Sequence, residues 1–564
     1  MGEYTRVKEL LAQIYGENIG LRALERLVSV IERFPKTDPV RTGLFDQADA
    51  VMITYGDSLL KASETPLATL GDFAEAYLTD VFTTIHLLPF FPWSSDDGFS
   101  VKDFHRTDAG LGTWENVAAI GKNFRLMFDY VVNHFSSQSQ WFANYLAAKP
   151  GYADFAIEVN PLSDLSMVTR PRSLPLLTAY EKHDGTRVHL WTTFSPDQID
   201  FNYRSLDVLE KMIEVLLLYA EKGARILRLD AVAYLWKEIG TACLHLPQTH
   251  AMVKLFRAVL DIVAPEVAIL TETNVPHSEN ISYFGNGRDE AQLVYNFSLP
   301  PLLLYAFVKQ DARLLSRWAA GLQLPSDTAT FLNFTASHDG IGVRPLEGIL
   351  PPGELAALID FVRSNGGMVS TRRNSDGTDS PYELNISYVD AIIGDSNSSR
   401  AEKFLASQAV QYVLPGVPAT YVHSLLGSRN WTEGVKRTGK ARTINREKLD
   451  ADRLREELND PGSFRRRVFH PYCHLIKTRA SQPAFLPRAP FEILDLDPRV
   501  FAIKRTAAGQ TLFALTNVAA MPVNVKLTDA GIAHKMMDLL TGDRHDASAL
   551  HLEPYRYVWL TGAA

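Results

Sequence analysis

The chain has 564 residues, 46% hydrophobic and 22% charged, an ordinary globular composition that excludes disorder, collagen and coiled coil. A net charge of -8 gives no basis for electrostatic capture of nucleic acid or an anionic membrane, and two isolated cysteines, Cys243 and Cys473, exclude a disulfide scaffold and argue against structural zinc. The first residues run into a helical pattern rather than an apolar signal core, and no run reaches the roughly 18 apolar residues of a membrane span, so a soluble, cytoplasmic protein is expected.

Leu10, Leu11 and Ile14, then Leu21, Leu24, Leu27, Val28 and Ile31, recur at helical spacing between charges and predict a helical N-terminal extension over 1–48. Short apolar runs of buried-strand type follow at 51–55, 85–90, 126–132, 224–229, 267–270, 293–295, 330–334 and 412–414. Most gaps between them hold an amphipathic helix pattern, clearest at 208–219 and 249–263. Repeated strand–helix units imply a parallel sheet with both faces covered. Eight of them predict an α/β fold, a closed (β/α)8 TIM barrel with its active site at the C-terminal strand ends. The catalytic barrel is expected over 49–488, with one insertion at 135–205 after the third strand and another at 340–400 after the seventh. The first is rich in Pro, Ser and aromatics; the second carries Asn365-Gly366-Gly367 and Asn374-Ser375-Asp376-Gly377. The basic stretch 429–467 reads as an exposed loop and helix. From 489 to 564 the pattern changes to alternating strands with turns, predicting a small C-terminal all-β domain.

The polar residues of the strand-type runs fall at their ends. The third run leads from Asp129 to Asn133-His134, and the fourth ends Arg228-Leu229-Asp230. Glu272 follows the fifth, and Ser337-His338-Asp339 follows the seventh. Alternation puts Arg228 and Asp230 on one side of a strand, where an arginine lowers a carboxylate's pKa and keeps it ionised, as a nucleophile for sugar transfer requires. Glu272, on the next strand, is the natural partner acid, needing a raised pKa to protonate a leaving oxygen. Asp339 with His338 could hold sugar hydroxyls. A lone Arg-x-Asp is usually a structural ion pair. Four polar strand ends in barrel order are hard to explain by stability alone.

Together, Asp129-x-x-x-Asn133-His134, Arg228-x-Asp230, Glu272 and Ser337-His338-Asp339 resemble the four signature regions of the α-amylase superfamily of retaining α-glucosidases, glycoside hydrolase family 13. The resemblance implies Asp230 as nucleophile, Glu272 as general acid/base and Asp339 as transition-state stabiliser, with His134, Arg228 and His338 in the glucose site. Residues 87–100, 191–200, 237–241, 415–418 and 442–446 are further similar to the sucrose phosphorylase-like subfamily. That likeness implies that Asp97 and Arg442 bind glucose hydroxyls, and that Phe99, Phe194 and Gln198 line the sugar site and its acceptor side. It implies a glycosyltransferase that passes a β-glucosyl-Asp intermediate to inorganic phosphate, a co-substrate, and releases α-glucose 1-phosphate. No other cofactor is expected, and no metal, although Asn133 sits where amylases supply a calcium ligand. Arg172, near Arg170 in the first insertion, is the residue the likeness favours for phosphate. The acceptor side is expected to draw on Arg344, Arg372, Arg373 and Glu383 of the second insertion. The overall wording of the chain, including the helical N-terminal extension and Ser380-Pro381-Tyr382-Glu383, most resembles the subgroup whose leaving group is glycerate, whose carboxylate an arginine would pair bidentately; Glu383 would repel that carboxylate unless an arginine neutralises it. Fructose, fructose 6-phosphate and glycerol remain alternatives, as does hydrolysis or transglucosylation on the same scaffold. The expected partners are a small-molecule α-glucoside and phosphate, not nucleic acid or membrane, with a homodimer left open.

Overall fold

In the computed structural model, which describes residues 2–37, 43–374, 376–394, 400–527 and 535–562, eight parallel strands close a barrel. They are β1 (Val51–Thr54), β2 (Thr84–Leu87), β3 (Arg125–Val131), β4 (Ala224–Asp230), β5 (Ala268–Thr271), β6 (Leu293–Tyr295), β7 (Thr330–Phe334) and β8 (Val417–Tyr421). β8 pairs with both β7 and β1, so no edge is left open. Almost every strand residue is buried, because one face fills the barrel and the other meets helices such as Leu206–Glu221 and Pro247–Val263. The second of these helices takes Pro at its first turn, where the missing N–H has no helical partner to lose.

Seven strands lie on the apolar runs of the sequence. The eighth does not: 412–414 closes the buried helix Arg400–Val413, and β8 begins three residues later. No helix of the described residues is long and apolar enough to cross a membrane.

The N-terminal helices Thr5–Tyr15 and Glu17–Ile31 turn at Gly16 and lie against the barrel's outer helices. Gly20 permits their close approach, since a Cβ there would meet the Ala12 backbone nitrogen at 2.9 Å. Val7, Leu11, Leu27 and Ile31 are buried, while Leu21, expected on the same face, is 44% exposed. Arg26 holds Asp207 at 2.5 Å and Glu210 at 2.6 Å across the contact. Truncating fully buried Leu11 to Ala would cost about 2–5 kcal/mol.

After β3 the chain forms two small antiparallel sheets, His134–Ser136 with Gln198–Asp200 and Leu177–Glu181 with Arg187–Trp191. After β7 it forms a three-stranded sheet in which Asp379–Asn385 lies between Ile341–Gly342 and Met368–Arg373, with the helix Pro352–Ser364 beside it. Ser375 of the expected turn lies outside the described residues. The C-terminal part is antiparallel, a six-stranded sheet beside a two-stranded one. The basic stretch departs from expectation. It folds into short helices, and Arg446 within it is 4% exposed because it reaches into the barrel mouth.

Candidate active site

The strand ends open into a cavity lined by Asp230, Glu272, Asp339, His134, His338, Phe99, Phe194, Gln198, Arg172, Glu383 and Arg442, so most residues singled out in the sequence meet in one place. Arg228, buried beneath, is its electrostatic floor. Its Nη1 donates to Asp230 at 2.8 Å and also to Asp129. Asp129 accepts from His86 Nε2 at 2.8 Å. The guanidinium lies between the rings of Phe99 and Tyr295, 5.6 and 5.8 Å from their centroids.

β4 and β5 run in parallel register, Leu270 opposite Arg228 and Thr271 opposite Leu229. Continued one step, that register sets Glu272 beside Asp230. Ala231 then turns left-handed at φ +52, a strained conformation for a residue with a Cβ, and its N–H donates to Glu272 Oε2 at 3.0 Å. Burial pushes both Asp230 and Glu272 up to about 7. Arg228 does lower Asp230, as the sequence suggested, but burial outweighs it, so the net shift is upward. Asp230 also raises Glu272, and the Arg228 hydrogen bond favours negative charge on Asp230.

Asp339 is different. Burial alone would raise it, but the guanidinium groups of Arg442 and Arg446 hold it well below the usual carboxylate range. Arg442 Nη1 lies 2.6 Å from Asp339 Oδ1. Burial pushes His338 down to about 3, so the ring is neutral; it stacks on Phe99 at 4.8 Å and 5°.

The loop after β2 is knotted so that three neighbours reach three targets. Asp96 and Asp97 are both left-handed, and Gly98 at φ +110 could carry no Cβ, which would meet Pro89 O at 2.8 Å. Asp96 accepts from Gln198 Nε2 at 3.3 Å, and Phe99 O lies 3.0 Å from His134 Nε2. Asp97 pairs with Arg446 rather than with Arg442, the residue carried over beside it from the sequence. Arg446 also donates to His338 O at 2.8 Å. Asp197, which accepts from Ser94 at 2.5 Å, Ser100 at 2.8 Å and Ser137 at 2.6 Å, ties this loop to the first insertion. Phe194 packs between His134 and Tyr234.

The acceptor-side candidates separate. Arg172 lines the cavity with its guanidinium 5.7 Å from the Tyr382 ring centroid. Arg442, the other cavity-lining arginine, is committed to Asp339 and, through Nε at 3.0 Å and Nη2 at 2.5 Å, to Glu383. Glu383 therefore has its neutralising arginine. Arg344 and Arg372 both approach Glu347, at 3.8 and 3.1 Å. Arg373 turns away to Asp379 at 3.0 Å. Arg170 also faces away, donating to Leu174 O. Tyr234, Arg446 and Tyr382 were not singled out in the sequence. Burial pushes the Tyr234 hydroxyl up to about 12 while Arg344, Arg172 and Arg372 act on it from the acceptor side. Only Asp97-Asp96 doubling and the Arg442-x-x-x-Arg446 repeat hinted at this part of the site.

At Asn133 the geometry does not fit a divalent cation. Lys237 Nζ lies 2.8 Å from Asn133 Oδ1 and 2.5 Å from Asp200 Oδ2, so an ammonium supplies the positive charge there. Among the described residues no three His, Cys, Asp or Glu side chains gather as a metal site.

Residues 76–326 match the family description "Alpha amylase, catalytic domain". The chain is 47% identical over 99% of its length to a glucosylglycerate phosphorylase of Spirochaeta thermophila, covering 98% of that protein. It is 44% identical over 98% of its length to a protein of the same name from Escherichia coli, covering 99% of it. The crystal structure of a sucrose 6F-phosphate phosphorylase from Thermoanaerobacter thermosaccharolyticum superposes with TM-score 0.74 at 27% identity, over 84% of this chain and 94% of that one. The chain thus belongs to the α-amylase family, glycoside hydrolase family 13, and within it to the glycosyl-transferring phosphorylases.

Proposed function

We propose that this enzyme is a retaining α-glucoside phosphorylase whose donor is 2-O-α-D-glucosyl-D-glycerate. Asp230 attacks the anomeric carbon while Glu272 protonates the departing glycerate oxygen, giving a β-glucosyl ester of Asp230 and neutral glycerate alcohol. Glu272, now ionised, takes a proton from inorganic phosphate as the phosphate oxygen displaces Asp230, and α-glucose 1-phosphate leaves with the configuration retained. Adjacent parallel strands are about 4.8 Å apart, so the register that pairs Asp230 with Glu272 supports the short carboxylate spacing, about 5–5.5 Å, of retaining enzymes. Arg446 and Asp97, with His134 and His338, surround the glucose unit, and Asp339 is kept ionised to hold its hydroxyls. The reaction uses no metal and no cofactor beyond phosphate.

The observation that carries the anionic acceptor is the state of Arg172. Among the described residues lining the cavity it is the arginine with no carboxylate partner, so it is free to receive a phosphate or carboxylate through its fork of donors. The names of the S. thermophila and E. coli relatives support glycerate as the leaving group. The test is phosphate release from α-glucose 1-phosphate with D-glycerate, glycerol, fructose and fructose 6-phosphate offered in turn. Release that requires D-glycerate is expected. Release that requires another acceptor overturns the donor, and equal slow release with none makes water the acceptor and the chain a hydrolase.

A further inference from the structure

The second insertion begins one residue after Asp339. Gly340 leads directly into Ile341–Gly342, which pairs antiparallel with Asp379–Asn385, Ile341 opposite Leu384 and Gly342 opposite Glu383. The approach is tight, because a Cβ on Gly340 would meet Leu384 O at 2.9 Å. The same strand sends two neighbouring side chains to the cavity. Tyr382 offers its ring to Arg172. Glu383, 2% exposed, takes both Nε and Nη2 of Arg442, whose Nη1 is left to hold Asp339.

A guanidinium gripped bidentately by one carboxylate has its plane and rotamer fixed, so the place of its third nitrogen, Nη1, is fixed as well. Here that place is 2.6 Å from Asp339 Oδ1. We infer that Glu383 is a positioning residue, which orients Arg442 so that Arg442 in turn holds Asp339 for the glucosyl-transfer step, and that the second insertion thereby makes its own docking a condition of catalysis. Glu383 was grouped in the sequence with residues that recognise the acceptor. Its buried pairing assigns it instead to the donor side, one residue removed from the sugar. The inference rests on the proposed roles of Asp339 and Asp230, but not on the identity of the acceptor.

Single-turnover fluoride release from α-glucosyl fluoride, with enzyme in excess, reads formation of the glucosyl-enzyme without glycerate or phosphate. Glu383→Ala is expected to slow it by about tenfold or more, the loss expected for a charge-assisted hydrogen bond, with the KM for phosphate little changed. Glu383→Gln, which keeps one acceptor oxygen, should recover part of the rate. The Glu383→Ala/Arg442→Ala double variant should be no slower than Arg442→Ala, since the first residue acts through the second. Thermal unfolding of each variant separates misfolding from mispositioning. Additive losses in the double variant, or a Glu383→Gln enzyme with normal fluoride release and a changed KM for glycerate, would overturn the inference. If the wild-type enzyme released no fluoride, the proposed double displacement would fail first.

Discussion

Arg172 is where the proposed chemistry is most exposed to test. The other arginines of the site are committed: Arg228 to Asp129 and Asp230, Arg442 to Asp339 and Glu383, Arg446 to Asp97. Removing any of those leaves a carboxylate without its arginine, and the loss mixes catalysis with the cost of an unpaired charge. Among the described residues Arg172 has no carboxylate partner and lies by the Tyr382 ring, so Arg172→Ala leaves no carboxylate unpaired. What it removes is a charge-assisted contact to the incoming anion, about 1.5–3 kcal/mol. At about 1.4 kcal/mol per decade this is roughly a 10- to 150-fold rise in the KM for phosphate. Arg172→Lys keeps the charge but loses the planar fork, and should fall between the two. The assay is phosphorolysis at saturating donor with phosphate varied, alongside single-turnover fluoride release from α-glucosyl fluoride. The second reaction should be unaffected, because phosphate takes no part in it. A phosphate KM within about twofold of wild type, or equal losses in both assays, would refute the assignment of Arg172 to the anion.

Glu272→Gln should spare fluoride release, since fluoride needs little protonation, while donors with alcohol leaving groups lose about 10²–10⁴-fold in turnover. Asp230→Asn should abolish the glucosyl-enzyme, seen as loss of the covalent mass increment. Glu272→Gln should also change stability with pH. The folded-state pKa of Glu272 is raised, to about 7, so the stability linked to its proton is present below its unfolded value and is lost as pH rises through about 7. The amide that replaces the carboxyl cannot ionise, so the Tm of Glu272→Gln should gain on wild type between about pH 5 and about pH 8; an equal Tm difference at both pH values would contradict the burial argument. Lys237 makes the last prediction: chelation should leave activity and Tm unchanged, whereas Lys237→Met should lower Tm by leaving Asp200 without its cation. Activity lost on chelation and restored by calcium would reverse the reading of that site.

The barrel was legible because buried parallel strands are written as short apolar runs that end abruptly in polar residues, and Asp230, Glu272 and Asp339 are those ends. The eighth strand was missed for a related reason. Residues 412–414 are as apolar as a strand because the helix they close is buried on nearly every side, while β8 carries Pro418, a residue that argues against a central strand. Periodicity over three residues cannot separate the two cases. Tyr234 was hidden by its neighbours, since Ala231-Val232-Ala233 reads as core and only the left-handed turn at Ala231 brings the tyrosine to the cavity.

The charged residues of the cavity show a deeper limit. Spacing in sequence says that Arg442 and Arg446 lie near one another, but not which of them meets Asp97, a partner more than 300 positions away in the chain. The turn Ala441–Asn445 decides it, by setting Arg442 Nη1 at 2.6 Å and Arg446 Nη2 at 3.7 Å from the same oxygen of Asp339. The pKa of Asp230 has the same character. Its arginine is visible two residues away, whereas the burial that outweighs that arginine depends on Phe99, Tyr295 and the strands around them. Composition counts the charges of this site, and the fold alone pairs them. Once Asp129, Asp230, Asp339, Glu383 and Asp97 have each taken an arginine, Arg172 is left uncommitted among the described residues lining the cavity. One unpaired cation in the same cavity as Glu272 fits the proposed anionic acceptor, because water offers an arginine no charge to pair with.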